Sequence, residues 1–160
     1  MRAECSHYNT MQHEKLLQKP YIYSIGTSTR SEKDFLNVLK HFRIETVVDV
    51  RSVPKSRFQH FGKENLKAML ETEGISYLYY GKELGGFRKE EYRIYTTTPA
   101  YKKGIARLEQ IGRENLTTIL CAEKLPWMCH RIFIGDSLGK KGFHVIHIID
   151  ERTLWEKGSV

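Results

Sequence analysis

At 160 residues the chain has the length of one domain and can bury roughly 68–70% of its unfolded surface. Hydrophobic residues make up 40% and charged residues 28%, a soluble globular balance that excludes a disordered chain; no apolar run reaches the roughly 20 residues of a membrane helix, and no signal peptide is evident. The net charge of +7 favours an anionic partner, and three cysteines (Cys5, Cys121, Cys129) without a secretory signal argue for reduced thiols and a cytoplasmic location.

Residues 1–20 read as a polar tail in which Met11 to Lys19 has the makings of a short helix. Tyr21 to Ile25 is aromatic and β-branched and predicts a strand ending at Gly26. Ser31, with Asp34 three residues on, resembles a capping box before the helical spacing of Phe35, Val38, Leu39 and Phe42. Glu45 to Val50 is nearly continuous in valine, the pattern of a strand covered on both faces. Leu66, Met69 and Leu70 mark a second helix, stopped by Gly74. Ile75 to Tyr80 is a third strand.

Gly81 to Thr97 has no clear period and is long for a connection, which suggests a lid or binding loop. Thr98-Pro99 then pairs an N-cap with a first-turn proline ahead of the stripe Tyr101, Ile105, Leu108, Ile111. Leu116 to Cys121 predicts a fourth strand, Pro126 to about Lys140 a fourth helix, and Phe143 to Ile149 a fifth strand. Residues 151–160 read as a tail. Strand and helix alternate throughout 21–150, which implies one α/β domain: a three-layer α/β/α sandwich around a mainly parallel five-stranded sheet. An eight-fold barrel needs about 250 residues and is excluded.

Ligands of such sheets bind beyond the carboxyl ends of the strands, and chemistry-bearing residues gather there. After the first strand come Ser28 and Arg30, in a Gly-Thr-Ser-Thr-Arg turn whose amides and hydroxyls suit an anion. After the second come Asp49, Arg51, Ser52 and Arg57, the last within a run, Lys55 to Phe61, that interleaves basic and aromatic groups as nucleic-acid surfaces do. After the third comes Gly85-Gly86 with Arg88, where glycine permits positive φ or close approach to a ligand. After the fourth come Cys121, Glu123, Cys129, His130 and Arg131, five chemistry-bearing residues within eleven positions.

Several of these residues admit two readings. Asp49 ends an apolar strand, so it is either a general base or metal ligand, or simply the partner of a nearby arginine. Cys129, expected in the first turn of the fourth helix, is either a nucleophile whose thiol is acidified by the helix N-terminus, His130 and Arg131, or an inert core residue. Cys121 is likewise either functional or a small core residue. Spacing excludes a phosphatase loop, because the residues six past Cys121 and Cys129 are Trp127 and Gly135. The cysteines are eight apart, too far for a zinc knuckle, and Cys-x-x-Cys is absent. No metal set or cofactor is assigned, although a metal-dependent alternative would draw on Asp49, Glu123, His130 and a cysteine.

The segments Ser24 to Arg30, Val48 to Arg57, Leu84-Gly-Gly86, Thr98 to Tyr101, Cys121-Ala-Glu123 and Cys129-His-Arg131 together resemble the family called domain of unknown function 488. The resemblance spans roughly 21–150 and departs at Thr27, where the family usually has histidine. It implies an α/β fold with a pocket lined by these motifs and draws attention to Cys121 and Cys129; it names no reaction. The expectation is an enzyme or ligand-binding protein for a phosphate-bearing small molecule or nucleic acid. Cys121, Glu123, Cys129, His130 and Asp49 would supply the chemistry; Ser28, Arg30, Arg51, Ser52, Arg57 and Arg131 would hold the anion. A non-catalytic nucleic-acid-binding module is the alternative.

Overall fold

The computed structural model describes residues 19–158; Cys5 and all but the last residue of the segment Met11 to Lys19 lie outside them. The strands are β1 (Tyr21–Gly26), β2 (Thr46–Asp49), β3 (Ser76–Tyr79), β4 (Thr117–Cys121), β5 (His144–Ile148) and β6 (Leu154–Trp155). The α-helices are α1 (Glu32–His41), α2 (Lys63–Thr72), α3 (Gly81–Leu84), α4 (Tyr92–Tyr95), α5 (Pro99–Glu114) and α6 (Arg131–Lys140), with single 3-10 turns at Gln59–Phe61 and Pro126–Met128. The helix starts follow the local chemistry. Ser31 Oγ accepts from the Asp34 amide at 3.1 Å, and Thr98 Oγ1 accepts from the Tyr101 amide at 3.3 Å with Pro99 opening the helix. Gly74 turns the chain out of α2 at φ +75°, in the left-handed region that glycine adopts without steric cost.

The sheet runs β3-β2-β4-β1-β5-β6. Its first five members are parallel, and β6 is antiparallel to β5. The sheet is therefore six-stranded rather than five-stranded, because two residues of the expected tail add a short edge. Side chains alternate between the two faces, and each face carries its own core. Ile22, Val48, Ile119 and Cys121 pack with α3, α5 and α6 through Leu84, Leu108, Ile134 and Leu138. Ile25, Val47, Leu120 and Ile148 pack with α1 and α2 through Phe35, Leu39, Leu66 and Leu70. This is the three-layer α/β/α sandwich.

Two local expectations change. The loop Gly81 to Thr97 holds α3 and α4, each only four residues long, too short for a helical period to show in sequence. Tyr92 Oη donates to the Leu84 carbonyl at 2.7 Å and Tyr95 Oη to that of Glu83 at 2.6 Å, so side chains fasten this segment to itself. The expected helix from Pro126 to Lys140 is also interrupted. After the 3-10 turn, Cys129 is extended at φ −142° and ψ 151°, and α6 begins only at Arg131 with His130 as its N-cap. Cys129 thus precedes the helix instead of lying in its first turn.

The topology leaves one open place. The chain leaves β2 toward the face carrying α2 and leaves neighbouring β4 toward the face carrying α6. Diverging connections at adjacent strands open a crevice beyond their carboxyl ends, and Cys121 is the last residue of β4.

Candidate active site

A cavity of about 590 Å³ occupies that crevice. Its walls are the loop after β2 (Arg51, Ser52, Val53, Lys55), the Gly86-Phe87 turn with Tyr92, and the segment after β4 (Cys121, Ala122, Glu123, Met128, Cys129, His130), closed by Phe133 of α6. The wall is mostly apolar, and its rim is exposed: Phe87 is 80% and Met128 68% accessible. Backbone packing sets the position of each wall. Thr27 and Ser28 amides donate to the Cys121 and Ala122 carbonyls at 2.8 and 2.9 Å, locking the turn after β1 to the segment after β4. Ser52 Oγ accepts from the Phe87 amide at 2.8 Å, and Tyr79 Oη donates to the carbonyls of Arg51 and Ser52.

Cys121 Sγ, Cys129 Sγ and His130 Nδ1 lie within 4.8 Å of one another at the cavity wall. His130 Nδ1 is 3.5 Å from Cys129 Sγ and 4.0 Å from Cys121 Sγ. Its other nitrogen, Nε2, is 3.1 Å from the Val50 carbonyl, which can only accept; Nε2 therefore carries the proton, and in the neutral ring Nδ1 presents its lone pair to the sulfurs. The Arg131 amide, at the start of α6, donates to Cys129 Sγ at 3.5 Å. Hydrogen bonding from Cys121 holds the Cys129 thiol well below the ordinary range; burial opposes this, and the Arg131 charge reinforces it. Cys121 moves the other way, because it donates to Cys129 and is itself buried.

The other expected site residues separate by location. Asp49 pairs in register with Leu120, so it faces α2 while Cys121 faces α6. There it is completely buried, and it accepts from Arg51 Nε at 2.9 Å, Arg51 Nη2 at 2.8 Å and Tyr77 Oη at 2.6 Å. Arg51 gives its remaining nitrogen, Nη1, to the Phe61 carbonyl at 2.7 Å. Arg131 is fully buried and donates to Ser24 Oγ and to the Glu123 and Lys124 carbonyls, so it braces the segment that carries the cysteines. Arg30 donates to the Gly26 and Ile149 carbonyls. Arg88 donates to the Gly85 carbonyl and stacks on Tyr95 at 3.9 Å. Arg57 lies over the Phe58 ring at 5.0 Å, and neither it nor Ser28 borders the cavity.

Gly85 and Gly86 act through close approach rather than positive φ. A Cβ on Gly85 would lie 2.2 Å from Ser52 Oγ, and one on Gly86 2.6 Å from His130 Nδ1. The sequence reading missed Val53, Phe87, Tyr92, Met128 and Phe133 as lining residues. The first four sit in segments without period, where only the exposed phenylalanine after two glycines gave a local sign, and Phe133 lies on the expected helix with nothing local to show that it faces a cavity. A second concavity, of about 670 Å³, lies between α6 and β5, where Lys157 pairs with Asp136 at 2.7 Å and His144 with Glu156.

The family described as Domain of unknown function DUF488 matches residues 31–138, well over half of the 160 residues. The chain belongs to that family. Cys121, Cys129, His130 and Gly86 all fall inside the matched DUF488 segment, whereas the turn after β1 precedes it. No curated protein and no solved structure matches the chain. Among the described residues of this DUF488 chain, no helix is long and apolar enough to cross a membrane.

Proposed function

We propose that this DUF488 chain is a thiol-dependent enzyme that transfers or hydrolyses a group on a small electrophilic substrate, with Cys129 as the nucleophile. The observation that carries the reading is the convergence on Cys129 Sγ of two donors, the Arg131 amide and the Cys121 thiol, at the wall of an open cavity, with the basic Nδ1 of His130 3.5 Å away. Such surroundings favour the thiolate, which is the attacking form. In the reaction Cys129 Sγ forms a bond to the electrophilic atom, and the leaving group departs with its electron pair and takes the Cys121 proton. His130 Nδ1, its tautomer fixed by Val50, then accepts a proton from the incoming water or acceptor, which displaces Cys129 as the thiolate and releases the product; that proton passes from Nδ1 to the Cys121 thiolate, 4.0 Å away, and restores the starting state.

The substrate side of the reading also rests on the cavity. The apolar wall suits a planar or aliphatic body. With the heads of Arg51 and Arg131 engaged inside the protein, an anionic end such as a phosphate falls to Lys55, exposed at the rim. In this assignment Arg51 and Arg131 are positioning residues.

Alkylation tests the proposal. At about pH 6 an ordinary thiol, with a pKa near 8.5, is below about 1% thiolate. A largely ionised Cys129 should therefore react with iodoacetamide roughly ten-fold faster than free cysteine, after allowance for its lower intrinsic nucleophilicity. Peptide mass spectrometry should place the label on Cys129, and Cys121→Ala should slow it. A Cys129 that reacts no faster than free cysteine overturns the reading.

A further inference from the structure

We propose that Cys121, Cys129 and His130 form a three-ligand site for a thiophilic divalent cation, Zn²⁺ above all, with its fourth position open to the cavity. The inference goes beyond the thiol reading: a bound cation ties up both sulfurs and masks the nucleophile.

Four observations converge. The first is metric. Tetrahedral Zn²⁺ with Zn–S near 2.3 Å and Zn–N near 2.05 Å sets sulfur–nitrogen edges of about 3.6 Å and a sulfur–sulfur edge of about 3.8 Å. The protein presents sulfur–nitrogen separations of 3.5 and 4.0 Å, with all three donor atoms inside 4.8 Å. The sulfur–nitrogen edges need changes of no more than about 0.4 Å and the sulfur–sulfur edge closes by at most about 1 Å, which side-chain rotation supplies.

The second is the orientation of the histidine. Nε2–H is held by the Val50 carbonyl at 3.1 Å, leaving Nδ1 as the ligating atom. A ligand histidine that gives its other N–H to a backbone carbonyl is the arrangement that fixes tautomer and ring plane in metal sites.

The third is space. The missing Cβ of Gly86 would sit 2.6 Å from His130 Nδ1, so the glycine keeps open the volume beside this ligand atom. Gly86 also borders the cavity, as do all three ligands, so a fourth ligand such as water can arrive from that side.

The fourth is charge. Two thiolates and one dication sum to zero, which suits a largely buried site where an uncompensated charge is costly. Cys129 already has its thiolate supported by the Arg131 amide, and metal binding would displace the Cys121 proton to solvent as the Zn–S bond forms. The donors hang from the end of β4 and from the two residues before α6, a segment that the Arg131 side chain and the Thr27 and Ser28 amides hold in place, so little chain entropy remains to be lost on binding.

The test uses the full chain carrying Cys5→Ser, reduced and stripped with a chelator, so that the third thiol makes no contribution. Co²⁺ titration should give one equivalent with thiolate-to-cobalt charge-transfer absorption and tetrahedral ligand-field bands, and Zn²⁺ should displace it. Cys121→Ser, Cys129→Ser and His130→Asn should each weaken Zn²⁺ binding, measured by chelator competition, by more than about 100-fold, beyond the usual loss of an outer-shell partner. Gly86→Ala, which touches no ligand bond, should also weaken it. Circular dichroism and urea midpoints confirm that each variant is folded. Independently of any variant, Zn²⁺ should slow iodoacetamide labelling of Cys129 at least ten-fold, and chelator should restore it. Absence of the charge-transfer band, titration of Cys129→Ser like its parent, or labelling indifferent to Zn²⁺ overturns the site. Slow labelling of the stripped protein would instead defeat the thiol reading while leaving the metal titration intact.

Discussion

Asp49 and Arg51 show how a residue that looks catalytic can be consumed by its own fold. Asp49 ends β2 and Arg51 follows two residues later, both are buried, and their three contacts satisfy the carboxylate together with Tyr77. Breaking a buried pair leaves an uncompensated charge, which costs about 3–5 kcal/mol. Arg51→Ala should therefore lower the unfolding free energy from urea titration by that amount, far more than an exposed arginine such as Arg57. A change under about 1 kcal/mol would mean that Arg51 is held less tightly than its hydrogen bonds imply. Cys129 is the converse case. In the sequence it could be a helix stripe residue, but one extended backbone position turns it out of the helix and onto the cavity wall. Nothing local in Trp127-Met-Cys-His announces that break.

At the scale of elements, the site depends on how closely β1 and β4 approach at their carboxyl ends. Gly26 is paired with Cys121, and a Cβ there would fall 1.8 Å from the Glu123 carbonyl oxygen and 2.9 Å from Lys124 Cα. Both atoms belong to backbone, so the segment after β4 must move to admit even a methyl group. That segment is also held by Arg131, which donates to the Glu123 carbonyl. Gly26→Ala should keep the far-ultraviolet signature of the sheet while costing about 1–3 kcal/mol, as overpacking does, and should erase the fast alkylation expected of Cys129 under the proposed function. Retention of that reactivity at wild-type rate would show that the segment tolerates displacement. The capping signals at Ser31 and Thr98 were legible because a cap is a bond between residues three apart. α3 and α4 were not, because their stability comes from tyrosine hydroxyls reaching carbonyls 8 and 12 residues away.

For the whole molecule, burial couples stability to pH. His147 is 2% exposed, it accepts from Ser24 Oγ through Nδ1, and burial first, then the Arg131 charge, brings its pKa from 6.5 down to about 4, with Asp136 and Cys129 opposing. The depressed value means that the folded state refuses a proton that the unfolded chain accepts. Its contribution is complete above about pH 6.5 and is lost as pH falls toward about 4, by up to about 3 kcal/mol. His147→Asn, whose Oδ1 can still accept from Ser24, should flatten that part of the stability curve. Carboxylate titration and the self-repulsion that grows from a net charge of +7 act on both proteins, so the difference between the two curves isolates the histidine. Parallel curves would show that His147 does not titrate in this window.

The sequence by itself determined the alternation of strands and helices, the three-layer sandwich, the caps, and the crowding of Cys121, Glu123, Cys129, His130 and Arg131 into eleven positions. These follow from hydrophobic period and nearest-neighbour bonding, which are properties of short windows. Only the tertiary structure decided that β4 lies between β1 and β2, that register turns Asp49 to one face and Cys121 to the other, and that Arg51 and Arg131 face inward while Cys129 and His130 face the cavity. The reason is the two-residue repeat of a strand: one step of register sends a side chain to the opposite face, and register is fixed by pairing between segments some seventy residues apart.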